Sequence, residues 1–120
     1  MNIFKYEFGG FSGGSWVYDI SMEQDSFMFT ARAYNGAQMN FSSKVDEHFV
    51  NGLIKLLIDN NVKKWDGFNK PNNILDGYSF SLSVSYGDLN INAYGHENYP
   101  ENYKEINKII TDYFDLLIKK

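Results

Sequence analysis

The 120-residue chain has no cysteine, one arginine, two prolines and two histidines. Each scarcity closes a class of function. Without cysteine there is no thiol nucleophile, zinc–thiolate site or iron–sulfur cluster, and no cysteine usage from which to read a redox compartment. Arg32 is the lone arginine, and eleven Lys+Arg stand against fifteen Asp+Glu for a net charge of -4. Neutralising a phosphate backbone needs clustered cations, so nucleic-acid binding is not expected. Nucleic-acid mimicry in its strong form is not expected either, because the acids are scattered and the longest run is Asp46-Glu47. No apolar stretch approaches the ~20 residues of a membrane helix. Met1-Asn2-Ile3-Phe4-Lys5-Tyr6 lacks the succession of a secretory signal. The expectation is a soluble, cytoplasmic protein with no membrane or nucleic-acid partner.

What is present suits one domain over residues 1–120 with one core, since 43% of the residues are hydrophobic and twenty-one are aromatic. Ten lysines to one arginine, with abundant asparagine, is the balance of an AT-rich genome such as a low-GC bacterium or its phage. Phe4, Tyr6 and Phe8 alternate with Lys5 and Glu7, the period of a half-buried strand. A glycine run from Gly9 to Gly14, with Phe11 at its centre, separates it from a second strand carrying Trp16, Tyr18, Ile20 and Met22. The turn at 23–26 then predicts a hairpin that sets Met22 opposite Phe27, Ile20 opposite Phe29 and Tyr18 opposite Ala31. After Asn35-Gly36, a three-residue loop of Tyr34-Asn35-Gly36 with Gly36 as a left-handed bulge residue predicts Ala33 opposite Ala37, Ala31 opposite Met39 and Phe29 opposite Phe41.

Ser43 with Asp46 reads as an approximate capping box for a helix carrying Val45, Phe49, Val50, Leu53, Ile54, Leu57 and Ile58 and ending near Asn60-Asn61. Residues 62–77 read as a long polar connection, a kind of segment that is often functional. Tyr78, Phe80, Leu82, Val84 and Tyr86 then alternate with four serines. Gly87-Asp88 suits a type II′ turn pairing Tyr86 with Leu89, Val84 with Ile91 and Leu82 with Ala93. Pro100 fits the first position of a closing helix with Ile106, Ile109, Ile110, Tyr113, Phe114 and Leu117 on one stripe. The order ββββαββα predicts an α+β fold, a mostly antiparallel sheet with two helices packed on one face.

Histidine is the commonest general base, and the chain carries two. His48, beside the Val45/Phe49 stripe, reads as a residue at the core edge. His96 and Glu97, with Tyr99 and Glu101 near, could bind an anion or metal or do acid–base work, yet there is no HExxH and no calcium loop, and the segment reads as a surface loop. The glycine run lacks the lysine of a phosphate loop, and the serines sit in no GxSxG elbow. No catalytic residue, cofactor or metal is predicted. Tyr34, Trp65, Tyr94, Tyr99 and Tyr103 are the aromatics expected at the surface, and Phe11 either tucks onto the core or meets a partner.

Trp65-Asp66-Gly67-Phe68, Asp76-Gly77-Tyr78-Ser79-Phe80-Ser81-Leu82 and Gly95 through Tyr99-Pro100 to Asn102-Tyr103 form a phrase spanning residues 65–103. In it the chain resembles a small, functionally uncharacterised bacterial and phage domain family, which carries asparagine where this chain has Glu97. The resemblance implies one fold unit and no activity. The expected function is a non-catalytic module binding another protein, most simply an inhibitor of the phage anti-defence (anti-CRISPR-like) or toxin-immunity kind. Its contacts are expected at Phe11, Trp65, Asp66, Phe68, His96, Glu97 and Tyr99. The alternative is a small enzyme or ligand-binding protein using the His96/Glu97 loop. Partner identity and oligomeric state are open at this point, self-association among the possibilities.

Overall fold

Alternation and turn chemistry fold the first 45 residues into a meander. In the computed structural model, which describes residues 2–10, 14–34, 38–72 and 77–118, these strands are β1 (Asn2–Gly10), β2 (Gly14–Glu23), β3 (Ser26–Tyr34) and β4 (Gln38–Val45). Helix α1 (Glu47–Asp59) and a single 3-10 turn (Val62–Trp65) lead to a short strand β5 (Asn69–Lys70). The hairpin of β6 (Tyr78–Tyr86) and β7 (Leu89–His96) follows, and α2 (Tyr103–Ile118) closes the described chain. The fold is α+β, with seven strands in the order β4-β3-β2-β1-β6-β7-β5. All neighbours are antiparallel except β5 and β7, so the sheet is mixed. Among the described residues no helix is long and apolar enough to cross a membrane.

Two hairpins have the predicted register. Met22 faces Phe27, Ile20 faces Phe29 and Tyr18 faces Ala31; Tyr86 faces Leu89, Val84 faces Ile91 and Leu82 faces Ala93. Gly87 has φ +58 and Asp88 is not in the positive-φ region, as a type II′ turn requires. The third hairpin differs by two residues: Ala33 faces Met39, Ala31 faces Phe41 and Phe29 faces Ser43. A shift of two preserves the faces, so the apolar pattern cannot distinguish the registers. The turn itself, residues 35–37, lies outside the described residues. The glycine run is not wholly a loop, because Gly9 pairs with Ser15 and Gly10 with Gly14 inside the ladder; residues 11–13 lie outside the described residues.

Both helix starts also differ from expectation. Val45 stays in β4 opposite Phe27. The N-cap is Asp46, whose Oδ1 accepts from the Phe49 backbone N–H at 2.8 Å, a stronger cap than a serine still committed to a strand. Helix α2 begins at Tyr103 rather than Pro100, because Asn102 takes a left-handed φ of +63 just before it.

The first part of the long connection, residues 62–70, is structured and not a loop, which is the chief correction to the predicted architecture; residues 73–76 lie outside the described residues. The backbone N–H of Gly67 donates to Asn92 O (2.9 Å) and that of Tyr94 donates to Phe68 O (2.9 Å). These bonds lay β5 along β7 as a parallel seventh strand.

A single buried cluster joins the sheet's apolar residues to both helices, with Val50, Leu53 and Leu57 from α1 and Ile106, Ile110 and Phe114 from α2. Phe114 is its hub, its ring centroid 4.7 Å from Phe29, 5.2 Å from Tyr18 and 5.4 Å from Phe4. The helices meet closely at Gly52, where an added Cβ would strike the Tyr113 hydroxyl. That hydroxyl donates to Phe49 O at 2.6 Å. Glycine inside a helix normally weakens it, and here the close contact explains its presence.

Truncating the hub should cost most. Phe114→Ala is expected to lose about 3–5 kcal/mol in urea unfolding. Leu116→Ala, at a side chain 63% exposed, should stay within about 0.5 kcal/mol of the parent.

Candidate binding cleft

The segment after α1 folds inward, led by its apolar residues. Val62 is fully buried and Trp65 is 3% exposed. The indole stacks on Tyr103 at 5.6 Å and meets Phe80 edge-on at 5.7 Å. The expectation of a surface Trp65 is therefore overturned, and so is that of a surface Tyr103, which is 8% exposed. An indole supplies so much apolar area that a nearby aromatic recess wins over solvent. Tyr34, Tyr94 and Tyr99 are exposed, as expected. Asp66 is exposed, but its Oδ1 accepts from the Asn92 backbone N–H at 2.8 Å, helping to fasten β5 to the sheet. Phe68 is half-buried beside Phe80 at 6.0 Å.

Glu97 closes the open end of the β6–β7 hairpin. Its backbone N–H donates to Tyr78 O (2.8 Å), and its Oε2 accepts from the Tyr78 N–H (2.8 Å), so it clamps both polar groups of one residue. The same Oε2 accepts from the Tyr99 hydroxyl at 3.3 Å. Asn98 Nδ2 donates to His96 O at 3.0 Å and to Lys70 O at 3.3 Å. At Gly95 an added Cβ would run into Asn98 O and lie 2.7 Å from a ring carbon of Phe80, so only glycine permits this return of the chain. His96 is half-buried at the last position of β7, opposite Ser79, and His48 is exposed on α1. Phe11 lies outside the described residues. Among the described residues no group of three or more His, Asp or Glu could hold a metal ion.

Tyr99 and Pro100 form a ridge between two clefts. One, of about 680 Å³, is lined by Tyr78, Tyr99, Pro100, Asn102, Tyr103, Lys104, Glu105 and Asn107. The other, of about 430 Å³, includes Trp65, Phe68, Tyr99, Pro100, Asn61 and Lys64 in its lining. Such volumes are those of ligand and side-chain pockets. The ridge is bracketed by two non-glycine residues with left-handed backbones, Glu97 at φ +54 and Asn102 at φ +63. Such strain persists only where surrounding contacts hold it, and here the Glu97 bonds to Tyr78 do so.

The larger cleft opens onto a chain of hydroxyls. Asn107 Nδ2 donates to Tyr6 OH (2.7 Å), Tyr6 OH donates to Tyr103 OH (3.1 Å), and the Tyr103 and Tyr78 hydroxyls share a further bond of 3.0 Å. Three phenolic protons thus serve two phenol–phenol bonds. One proton, on Tyr78 or Tyr103, is left for an acceptor at the cleft. Burial holds the Tyr6 and Tyr103 phenols well above the ordinary range, with the neighbouring Tyr6 phenol adding to the effect at Tyr103. Burial also raises Tyr78. Tyr99 is pushed up to about 12, by partial burial first and then by the Glu97 carboxylate. These phenols stay protonated at neutral pH, so the arrangement donates hydrogen bonds and supplies no phenolate nucleophile or base.

Trp65, Phe68 and Tyr99, all singled out in the sequence, converge on the smaller cleft, and Glu97 fixes Tyr99. Sequence reasoning missed Tyr6, Tyr78, Tyr103 and Asn107 as a group. Tyr6 and Tyr78 sit on the apolar stripe of strands and read as core; their only distinguishing signal is the hydroxyl, which needs a partner once buried. Comparison with protein-family models and with curated proteins finds no match.

Two outcomes follow. Tyr103→Phe leaves the buried Tyr6 hydroxyl without its acceptor and should cost about 1–3 kcal/mol in urea unfolding. A phenol raised above its ordinary 10.0 stabilises the fold fully below pH 10, and this contribution is lost as pH climbs through the folded value, about 12 for Tyr99. The urea midpoint should accordingly fall steeply above pH 10, and less steeply in Tyr103→Phe.

Proposed function

We propose that this chain is a non-catalytic module that binds another protein through the Tyr99–Pro100 ridge and its two clefts, and that it acts as an inhibitor by covering the partner's surface. The observation that carries the reading is Tyr99: a large ring, 41% exposed, packed on Tyr78 and Tyr103 at 5.6 and 5.1 Å and tied by its hydroxyl to Glu97. An aromatic held in place before contact loses little side-chain entropy on binding, which is the character of an interface hot spot. The recesses on either side suit side chains of the partner. The net charge of -4 favours a basic partner surface, consistent with an inhibitor of the anti-defence or toxin-immunity kind. On this reading Phe68 lines the contact, Glu97 and Asp66 position it, and Trp65 supports it from below. The enzymatic alternative would ask Glu97 to exchange protons while its carboxylate holds Tyr78 and Tyr99, which favours the positioning role.

The test is quantitative binding to the partner captured from the source cell. Tyr99→Ala should fold normally and weaken the complex by roughly 30-fold or more, about 2 kcal/mol. Unchanged affinity would remove the ridge from the interface. A turnover lost in His96→Ala but kept in Tyr99→Ala would establish the enzymatic reading in its place.

A further inference from the structure

The two margins of the sheet are unequal. One ends in β5, two residues long, while the other is β4, which pairs with β3 from Gln38 to Val45 without a register shift and has no second neighbour among the described residues. Along an antiparallel edge, alternate residues turn both N–H and C=O away from their partner, so β4 offers a row of ladder groups. Proteins usually guard such an edge with proline, a bulge or several charges. Here β4 contains no proline and no bulge, and Lys44 is its only charged residue.

We propose that β4 pairs antiparallel with β4 of a second copy of this chain, joining two seven-stranded sheets across a two-fold axis. The strand's own pattern selects this occupant. Phe41 and Val45 are half-buried on the core side, while Asn40, Ser42 and Lys44 are exposed on the other. A two-fold pairing centred on Phe41 or on Ser42 keeps each set opposite its like. Centred on Phe41, it sets that ring opposite its copy and Asn40 opposite Ser42. Lys44 would meet Lys44 of the copy only in a register centred on itself, so the favoured pairings carry no like-charge clash. Two molecules of charge -4 repel over most approaches, but this margin bears no carboxylate and one ammonium, so here they can meet. The edge lies at the other side of the sheet from the β6–β7 hairpin, after which Tyr99 follows, so the pairing and the proposed partner contact stand or fall separately.

The experiment is sedimentation over a dilution series. The parent should reach twice the 13.9 kDa of one chain and dissociate on dilution. Ser42→Lys, at an exposed position, should keep the parent's circular dichroism and weaken the dimer at least tenfold, about 1.4 kcal/mol. Ser42→Glu should weaken it similarly, and mixing the two variants should restore a dimer containing one of each, because the side chains at 42 lie opposite or diagonal across the axis. A parent that sediments as one chain at every concentration, or a dimer that both variants leave intact, would overturn the proposal.

Discussion

The double pairing of β1 brings the two halves of the chain together. From Phe4 to Gly10 it is bonded to β2 along one edge and to β6 along the other, although its β6 partners lie 68 to 80 positions away in sequence. Register then propagates outward in both directions. Because Phe4, Tyr6 and Phe8 face Ile20, Tyr18 and Trp16 on one side and Val84, Leu82 and Phe80 on the other, the apolar rows line up across the centre of the sheet. A slip of one residue at β1 would turn that row to solvent. The bulge at its start adds Ile3 to the core, at 2% exposed.

Tyr6 sits on this central strand, and its hydroxyl makes the core's polar seam. A buried phenol without partners is costly, so its position commits Tyr103 and Asn107 of α2 to lie within reach. The start of α2 is thereby fixed over β1 and β6, the same stretch that Phe80 and Trp65 pack against through Tyr103. Cleft and core are consequently one construction. The rings that close the core are the rings that floor the larger cleft, and a change that loosens one loosens the other.

Local chemistry was legible in the sequence. The β2–β3 and β6–β7 registers follow from alternation and short turns alone, and the α+β order follows from where period 2 gives way to helical spacing. Long-range choices were not legible. β5 exists because Asn92 and Tyr94 of β7 offer bonds to a segment that, taken alone, is polar and irregular. Trp65 reads as a surface ring until Phe80 and Tyr103 are known to leave it a recess. The start of α2 turns on a left-handed Asn102 that no propensity favours over Pro100 as a helix opener. The hydroxyl chain joins residues 97 apart, beyond any window over which periodicity speaks. Of the residues singled out in the sequence, Tyr99 and Glu97 lie together, joined by a hydrogen bond, because the two are close neighbours in the chain.

The bracketing of Tyr99 by two left-handed residues bears on what the ridge can do. A surface loop that moved freely would be under no pressure to hold Glu97 in that conformation, which β-carbon sterics disfavour. It does so because its carboxylate satisfies the Tyr78 N–H at the start of β6, and in doing so it turns the chain so that Tyr99 faces outward over packed rings. Rigidity is thus built by the same bonds that end the hairpin. A rigid ring with recesses on both sides suits recognition of a preformed surface better than closure over a small molecule, since closure requires a segment able to move. On the proposed reading, the ridge is a docking surface whose ring is set before contact.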